Sequence, residues 1–308
     1  MLNKHYTSQP VTEQRNAKSE QLDRAGVLDI IKIMNEEDQT VALAVERALP
    51  RIAEAIEAIV QVMQHGGRLF YVGAGTSGRL GVLDASECPP TFGVDRTLVT
   101  GLIAGGEAAI TTAIENAEDD EEAGAREITA HITAGDAVVG IAASGSTPYV
   151  IGAIRRAREL GALTASISCN DSAALSEAAE YGIEVPVGPE VVTGSTRLKA
   201  GTATKMVLNM ITTTAMIKLG KVYGNLMVNV QATNEKLRDR VVRIVSEATG
   251  AAQVTAAHYV QQADGDARVA ILMLRFGVAK EQAMEALQAC RYHFGDAVAR
   301  LEQKQESV

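Results

Sequence analysis

Short apolar runs that end at turn residues constrain the fold of this 308-residue chain more than any other feature. Four runs are continuously apolar rather than alternating, and they cover residues 69–72, 98–103, 137–142 and 163–168; a weaker run covers 183–187. Continuous runs of this length, separated by helix-like segments, are typical of parallel strands that are buried on both faces. The sequence therefore predicts an α/β fold with a parallel sheet and crossover helices.

Helical periodicity dominates the two ends of the chain. It begins near Val27, and Pro50 predicts a break or kink. A second long helix is predicted from Ser195 or Thr196 to Gly220. From residue 228 onward only helices are predicted, with breaks at Gly250, Gly265 and Gly277. We therefore expect an N-terminal helical arm over 1–44, an α/β domain over 45–225 and a small C-terminal helical domain over 226–308.

Charge and aromatic content exclude one class of partner. The chain has 29 Lys and Arg against 38 Asp and Glu, a net charge of −9, and no stretch concentrates the basic residues. Such a surface repels phosphate backbones. Aromatic residues make up only 4% and Trp is absent, which disfavours base stacking. We expect no nucleic-acid partner.

Targeting and metal signals are also missing. The first 25 residues are polar and lack the apolar core of a signal peptide, and no apolar stretch is long enough to span a membrane. The three cysteines are far apart, with no CxxC pair, and no two of the five histidines have metal-ligand spacing. We expect a reduced, cytoplasmic protein that does not enter a membrane and holds no structural metal.

Two loops combine glycine with hydroxyl groups. Gly73-x-Gly75-x-x-Gly78 follows a predicted strand and formally matches a dinucleotide fingerprint, but the acidic residue expected about 20 residues later is not convincingly placed. Thr76 and Ser77 in this loop instead suit the oxygens of a terminal phosphate. The second loop, residues 143–148, contains Ser144, Ser146 and Thr147, and Thr147-Pro148 is a typical helix start.

Each loop alone could simply cap a helix and turn the chain. The carboxyl ends of parallel strands meet at one edge of a sheet, and ligands of such folds bind there. Free N–H groups at helix starts also favour anions. Two loops of this type therefore predict an anion site.

The paired loop pattern resembles the sugar isomerase (SIS) fold, a flavodoxin-like three-layer sandwich that binds phosphosugars. Residues 73–94 are similar to the N-acetylmuramic acid 6-phosphate etherase family, as are residues 104–108, 138–151, 187–211 and 225–238. The resemblance covers nearly the whole chain. The chain departs from the family at Ser146, where Arg is usual, at Thr204, where Gln is usual, and at Asn229, where Asp is usual. We expect the change at Ser146 to affect affinity rather than activity.

This resemblance implies a homodimeric lyase that needs no cofactor or metal. The family cleaves the D-lactyl ether of a 6-phosphorylated amino sugar by elimination and hydration. By motif correspondence Glu87 is the proton donor and Glu118 the second acid or base. We expect Pro89 and Pro90 to end the helix that carries Glu87, and burial against Cys88 and both prolines to keep Glu87 protonated.

Further candidates surround the predicted phosphate site of Thr76, Ser77, Ser144, Ser146 and Thr147. Arg79 could neutralise phosphate, although a helix-surface Arg is an equal alternative. Residues 193–199 gather hydroxyl groups and two cations at a predicted helix start, where cations are unfavourable to the helix itself. An anion, with the lactyl carboxylate as one candidate, is the expected partner of this group, which comprises Ser195, Thr196, Arg197 and Lys199.

Two other functions remain open from the residues alone. Relatives of this fold sense phosphosugars and control partners without catalysis, but the presence of both Glu87 and Glu118 favours an enzyme. A nicotinamide-linked oxidoreductase is a remote third reading of the glycine-rich loop. Release of lactate from the phosphorylated muramic acid distinguishes an etherase from both alternatives.

Overall fold

The computed structural model describes residues 9–230 and 235–306. Residues 1–8 of the expected arm and residues 231–234 of the last resembling stretch lie outside them. All five predicted strands are present: β1 Leu69–Gly73, β2 Val99–Ile103, β3 Ala137–Ile141, β4 Leu163–Ser168 and β5 Tyr181–Glu184. They form one sheet in the order β2-β1-β3-β4-β5, and every pair is parallel. The predicted α/β fold with a parallel sheet is confirmed.

Helices cover both faces of this sheet. Phe70, Val72 and Val138 belong to one apolar core with the helices over residues 121–131 and 148–159, whereas the Tyr71 hydroxyl donates to Asp84 on the helix over residues 75–92. Alternate residues of a strand point to opposite faces, so the flavodoxin-like three-layer arrangement follows from the strand pattern. The helices are α1 Val27–Gln64, α2 Gly75–Phe92, α3 Ala108–Thr111, α4 Glu121–His131, α5 Pro148–Glu159, α6 Ala174–Ala178 and α7 Lys199–Lys218.

The expected helix boundaries at Pro89 and Pro90 and at Ser195 or Thr196 are wrong, and the helix does not break at Pro50. Helix α1 continues through Pro50, because the buried face on either side of it holds the helix together. Helix α2 continues through Pro89 and Pro90 and ends at Phe92. Proline removes a donor but not an acceptor, and the Pro89 carbonyl still accepts a bond from the N–H of Gly93 at 2.9 Å. Helix α7 begins at Lys199, three residues after Thr196.

The chain divides into two compact units. The first contains the residues up to Ser86 together with Thr97–Thr212, and the second contains Glu87–Arg96 and the residues from Thr213 on. The second unit is helical, with breaks at the three predicted glycines, and its core includes Val241, Ile271 and Leu287. Its helices are α8 Glu235–Thr249, α9 Gln253–Gln262, α10 Ala267–Phe276, α11 Lys280–Ala289 and α12 Phe294–Glu306. The domain boundaries at 44/45 and 225/226 stay predictions.

Among the described residues, no helix combines the length and the apolar character that crossing a membrane requires.

Candidate active site

A cleft of about 490 Å³ opens in the first unit where β1 and β3 end. These two strands are neighbours, with Gly73 paired to Ile141. The chain continues from β1 toward one edge of the sheet and from β3 toward the other, so their loops diverge and leave a crevice. The cleft is lined by Glu13, Ala74, Gly75, Thr76, Ser77, Glu118, Asp119, Ala142, Ala143, Ser144, Ser146, Thr147, Pro148, Gly194 and Thr196.

The first loop turns directly from β1 into α2. A Cβ atom on Gly78 would lie 2.6 Å from Ile103 Cγ1 and 2.8 Å from the Gly73 carbonyl oxygen, so only glycine allows this close approach. Because α2 already begins at Gly75, Thr76 and Ser77 lie in its first turn and also line the cleft. N–H groups of a first helical turn lack intrahelical acceptors and attract anions.

The second loop presents its hydroxyl groups rather than using them as caps. Ser146 donates to Ser144 Oγ from its N–H, at 3.2 Å, and its own Oγ lies 3.2 Å from the same atom. Thr147 is the N-cap residue of α5, with Pro148 in the first turn as predicted, but its side chain makes no capping bond. The capping alternative therefore does not account for the Thr147 hydroxyl, which lines the cleft.

The acidic run at residues 118–122 has two different roles. The Glu118 carbonyl accepts a bond from the Tyr149 N–H at 3.0 Å, which fixes this segment to the start of α5. Glu118 and Asp119 line the cleft. Asp120 instead caps α4 through the N–H of Ala123, and Glu121 pairs with Arg155. Asp119, which was not among the predicted site residues, thus lines the cleft beside Glu118.

Glu87 lies near the C-terminal end of α2, in the part of this helix that belongs to the second unit, and its side chain is exposed. Its expected burial is wrong, because Cys88 and Ala85 occupy the buried face of α2, with Cys88 only 2% exposed. Residues three apart share a helix face, and Glu87 lies off that face.

Three of the residues predicted around the phosphate site do not line the cleft. Arg79 donates through Nε to the Ile110 carbonyl at 2.9 Å, Arg197 is exposed and Ser195 is half-buried. None of these three lines the cleft, whereas Thr196 does. Among the described lining residues there is no Lys or Arg, but there are three carboxylates, on Glu13, Glu118 and Asp119.

Lys199 lies inside the protein rather than at the cleft. It is 2% exposed, and its Nζ is 2.5 Å from Glu37 Oε2 on α1. The predicted contact of Lys199 with an anionic ligand does not fit this geometry, because Glu37 already neutralises the ammonium group.

The start of α7 is held by a buried ionic cluster that the sequence patterns did not reveal. Glu190 is fully buried and accepts the N–H groups of Lys199 and Ala200, at 3.0 and 2.9 Å. Burial raises the pKa of Glu190, and those two N–H groups oppose the shift. Burial also acts to raise the pKa of Glu37, but hydrogen bonds from Lys18, Lys199 and Asn16 outweigh it and lower the pKa to about 2.

Two further residues at this edge of the sheet were missed. Glu13 precedes any periodic pattern, so nothing local pointed to it. Asn170 lies two residues after the end of β4, at the edge where the carboxyl ends of the strands meet, and that position was an available signal. Among the described residues no group of three or more His, Cys, Asp or Glu side chains is arranged to hold a metal ion.

Comparison with protein families gives two overlapping matches. Residues 51–158 match the glucokinase regulatory protein N-terminal SIS domain. Residues 109–214 match the SIS domain. Together these matches include both loops of the cleft.

Curated relatives extend the similarity to most of the chain. N-acetylmuramic acid 6-phosphate etherase of Geobacillus sp. (strain WCH70) is 54% identical over 90% of this chain and 94% of the relative. The protein of the same name from Yersinia pestis is 54% identical over 92% of this chain and 96% of its own length.

Two solved structures of phosphoheptose isomerases are similar to this chain at low identity. The enzyme from Francisella tularensis has a TM-score of 0.48 and 20% identity, covering 61% of this chain and 98% of its own. The enzyme from Neisseria gonorrhoeae has a TM-score of 0.47 and 19% identity, covering 60% and 99%.

Proposed function

The chain belongs to the N-acetylmuramic acid 6-phosphate etherase family, and we propose that its reaction takes place in the cleft beside β1 and β3. It is a carbon–oxygen lyase that cleaves the D-lactyl ether of N-acetylmuramic acid 6-phosphate to N-acetylglucosamine 6-phosphate and D-lactate. The observation that supports the proposed location is the convergence of two hydroxyl-rich loops and Glu118 on one cleft.

The substrate phosphate binds between the two loops. Thr76 and Ser77 contribute hydroxyl groups from the start of α2, and Ser144, Ser146 and Thr147 contribute them from the second loop. A hydroxyl donating to phosphate makes a charge-assisted bond. First-turn N–H groups of α2 and α5 supply further donors and the positive ends of two helix dipoles. In this chain these hydroxyl and N–H donors take the place of the Arg that the family usually has at Ser146.

The chemistry requires a base at C2 and an acid at the C3 oxygen. Ring opening exposes a C1 aldehyde, which acidifies the proton on C2. Glu118 removes that proton, Glu87 protonates the departing lactate oxygen, and water then adds to the unsaturated aldehyde. The roles of both glutamates rest on motif correspondence with the family; the position of Glu118 in the cleft supports its assignment.

The lactyl carboxylate binds near residues 194–197. Thr196 and Gly194 line the cleft, and Arg197 is exposed one residue further on. Ser195 donates its N–H to the Val192 carbonyl at 2.9 Å, which fixes the backbone of this turn, and its hydroxyl is the group assigned to the ligand. Arg79 lies one helical position after Gly78 and can supply long-range attraction for the phosphate rather than direct contact.

The active form is a homodimer in the cytoplasm that serves cell-wall amino-sugar recycling and catabolism. Exposed large apolar side chains along α1 support the dimer, including Leu28 at 59%, Leu43 at 56% and Leu49 at 43% exposed. A repeated apolar surface on one helix is typical of an interface between copies. The family name supports the metabolic role.

Lactate release from N-acetylmuramic acid 6-phosphate tests this function. The parent should release stoichiometric D-lactate, and Glu118→Gln should lose about 10²-fold or more of the rate. Glu122→Gln is the matched control, because Glu122 is an exposed acid of the same run that does not line the cleft. Tight phosphosugar binding without lactate release by the parent would instead support the phosphosugar-sensing regulatory alternative.

A further inference from the structure

The N-terminal segment, residues 9–26, is hydrogen-bonded to the rest of the first unit through two buried residues, Thr12 and Asn16, which lie on either side of Glu13. Thr12 is fully buried; its N–H donates to Asn170 Oδ1 at 3.2 Å, and its Oγ1 lies 3.0 Å from Asn170 Nδ2. Asn16 is 7% exposed and donates to Glu37 Oε2 at 2.9 Å and to the Pro189 carbonyl at 3.1 Å. Buried polar groups with several partners fix a segment firmly.

Asn170 connects this segment to the second loop of the cleft. Its Nδ2 also lies 3.2 Å from the carbonyl oxygens of both Ala143 and Ser144. One side-chain amide thus bonds to the backbone before Glu13 and to the backbone that carries Ser144. The spacing between Glu13 and the phosphate loop is therefore set by Asn170.

Glu13 itself, between Thr12 and Asn16, is exposed and lines the cleft. Its Oε2 lies close to Gly194, where an added Cβ would come within 3.3 Å of it. Gly194 has a φ of +76°, so this position favours glycine for a second reason. The Glu13 carboxylate is thus directed toward residues 194–196 of the cleft.

A carboxylate in a phosphate-binding cleft must serve another part of the ligand. It repels the phosphate dianion and accepts hydrogen bonds from neutral donors, which on an amino sugar are its hydroxyl groups and its amide N–H. The side chain of Glu13 is exposed and lines the cleft, so its carboxylate oxygens can accept hydrogen bonds from a ligand.

We propose that Glu13 is a specificity-determining residue that accepts hydrogen bonds from the sugar part of the substrate, and that Asn170 is the positioning residue that places it. The proposal rests on the proposed function, because it takes the cleft as the phosphosugar site. It predicts that the N-terminal segment distinguishes a phosphorylated amino sugar from phosphate alone.

Calorimetric titration of Glu13→Ala with N-acetylglucosamine 6-phosphate and with inorganic phosphate tests this. The sugar phosphate should bind about tenfold or more weakly, the loss of one hydrogen bond to a charged group, while phosphate should bind equally well or more tightly. Glu20→Ala makes the same change on the same segment outside the cleft and should match the parent. Unchanged binding of the sugar phosphate, or equal losses for both ligands, would overturn the role of Glu13.

A double-mutant cycle tests the positioning role. In the Asn170→Ala background the Glu13→Ala change should cost less than twofold, because Glu13 is no longer held in place. Additive losses of sugar phosphate affinity for the two substitutions would show that Asn170 stabilises the fold but does not position Glu13. Should Asn170→Ala fail to fold, Thr12→Val removes the Oγ1 contact at the other end of the same link and replaces it in the cycle.

Phosphosugar binding and lactate release by the parent protein distinguish a wrong role for Glu13 from a wrong proposed function. If the parent binds the sugar phosphate but releases no lactate from the muramic acid substrate, the proposed catalysis is wrong, whereas Glu13 is still judged by the titrations. If the parent binds no phosphosugar, both are wrong.

Discussion

At the scale of single residues, the cleft depends on hydroxyl groups whose hydrogen bonds are left for a ligand. Thr147 occupies an N-cap position without capping, and the Ser144 hydroxyl bonds to Ser146 of its own loop. The described lining residues include carboxylates but no Lys or Arg, so each hydroxyl contact to phosphate should matter more than it would beside an arginine.

Ser144→Ala should therefore weaken substrate binding. One charge-assisted hydrogen bond contributes on the order of 1.5–3 kcal/mol, so KM should rise roughly 10- to 100-fold, with kcat changed much less because the phosphate is remote from the bond that breaks. Steady-state lactate release measures both constants. Ser86→Ala, which removes an exposed hydroxyl bonded to the Leu83 carbonyl of the same helix, is the control. An unaltered KM for Ser144→Ala would contradict the two-loop phosphate site.

Glu87→Gln should separate the two proton transfers. The amide keeps the shape of the acid but cannot donate a carboxylic proton, so lactate release should fall about 10²-fold or more. Exchange of the C2 proton with solvent deuterium, followed by NMR, should continue because Glu118 performs it. Loss of exchange and cleavage together, with substrate still bound, would make Glu87 the base. Near-normal lactate release would remove it from the chemistry.

At the scale of elements, the start of α7 is joined to α1 by a buried ion pair. Lys199 and Glu37 are 2% and 6% exposed, and Lys18 and Asn16 complete the shell around the Glu37 carboxylate. Breaking one partner of such a pair leaves a buried charge without compensation, which is strongly destabilising. The pair holds residues 194–198 beside the cleft by fixing the helix that follows them.

This ion pair predicts a specific acid sensitivity. The pKa of Glu37 falls from 4.5 to about 2 on folding, so its contribution is complete above pH 4.5 and is lost as the pH falls toward 2. Glu37→Gln should lower the free energy of unfolding at pH 7 and flatten its decline between pH 4.5 and 2, measured by urea titration.

Glu36→Gln changes the exposed neighbour on the same helix and should leave that decline intact. A Glu37→Gln variant that follows the pH dependence of the parent would show that the pair does not contribute to stability.

At the scale of the whole molecule, the central prediction is a stable homodimer. Exposed leucines along α1 would be covered by a second copy, and burial of such surface contributes roughly 25 cal/mol per Å². Light scattering at micromolar concentration should give twice the mass of one chain. A stable monomer that retains lactate release would exclude an interface required for activity and any site shared between subunits.

The sequence by itself determined the strands, the loops of the cleft and the family. Continuous apolar runs specify buried parallel strands locally, and the close approach of Gly73 to Gly78 and the bond from Ser146 to Ser144 lie within their own loops. The N-cap at Thr147 and the breaks of the C-terminal helices likewise follow from neighbouring residues. Patterns of this kind need no knowledge of distant partners.

Only the tertiary structure decided which charged residues reach the cleft. Lys199 pairs with Glu37 across 162 positions, and Thr12 meets Asn170 across 158. Local spacing predicted a ligand for Lys199 and nothing for Glu13, because a charge is neutralised by whichever partner the fold brings within a few ångströms. The exposure of Glu87 has the same origin: the helix pattern fixes which residues share its face, and packing of α2 decides which face is buried.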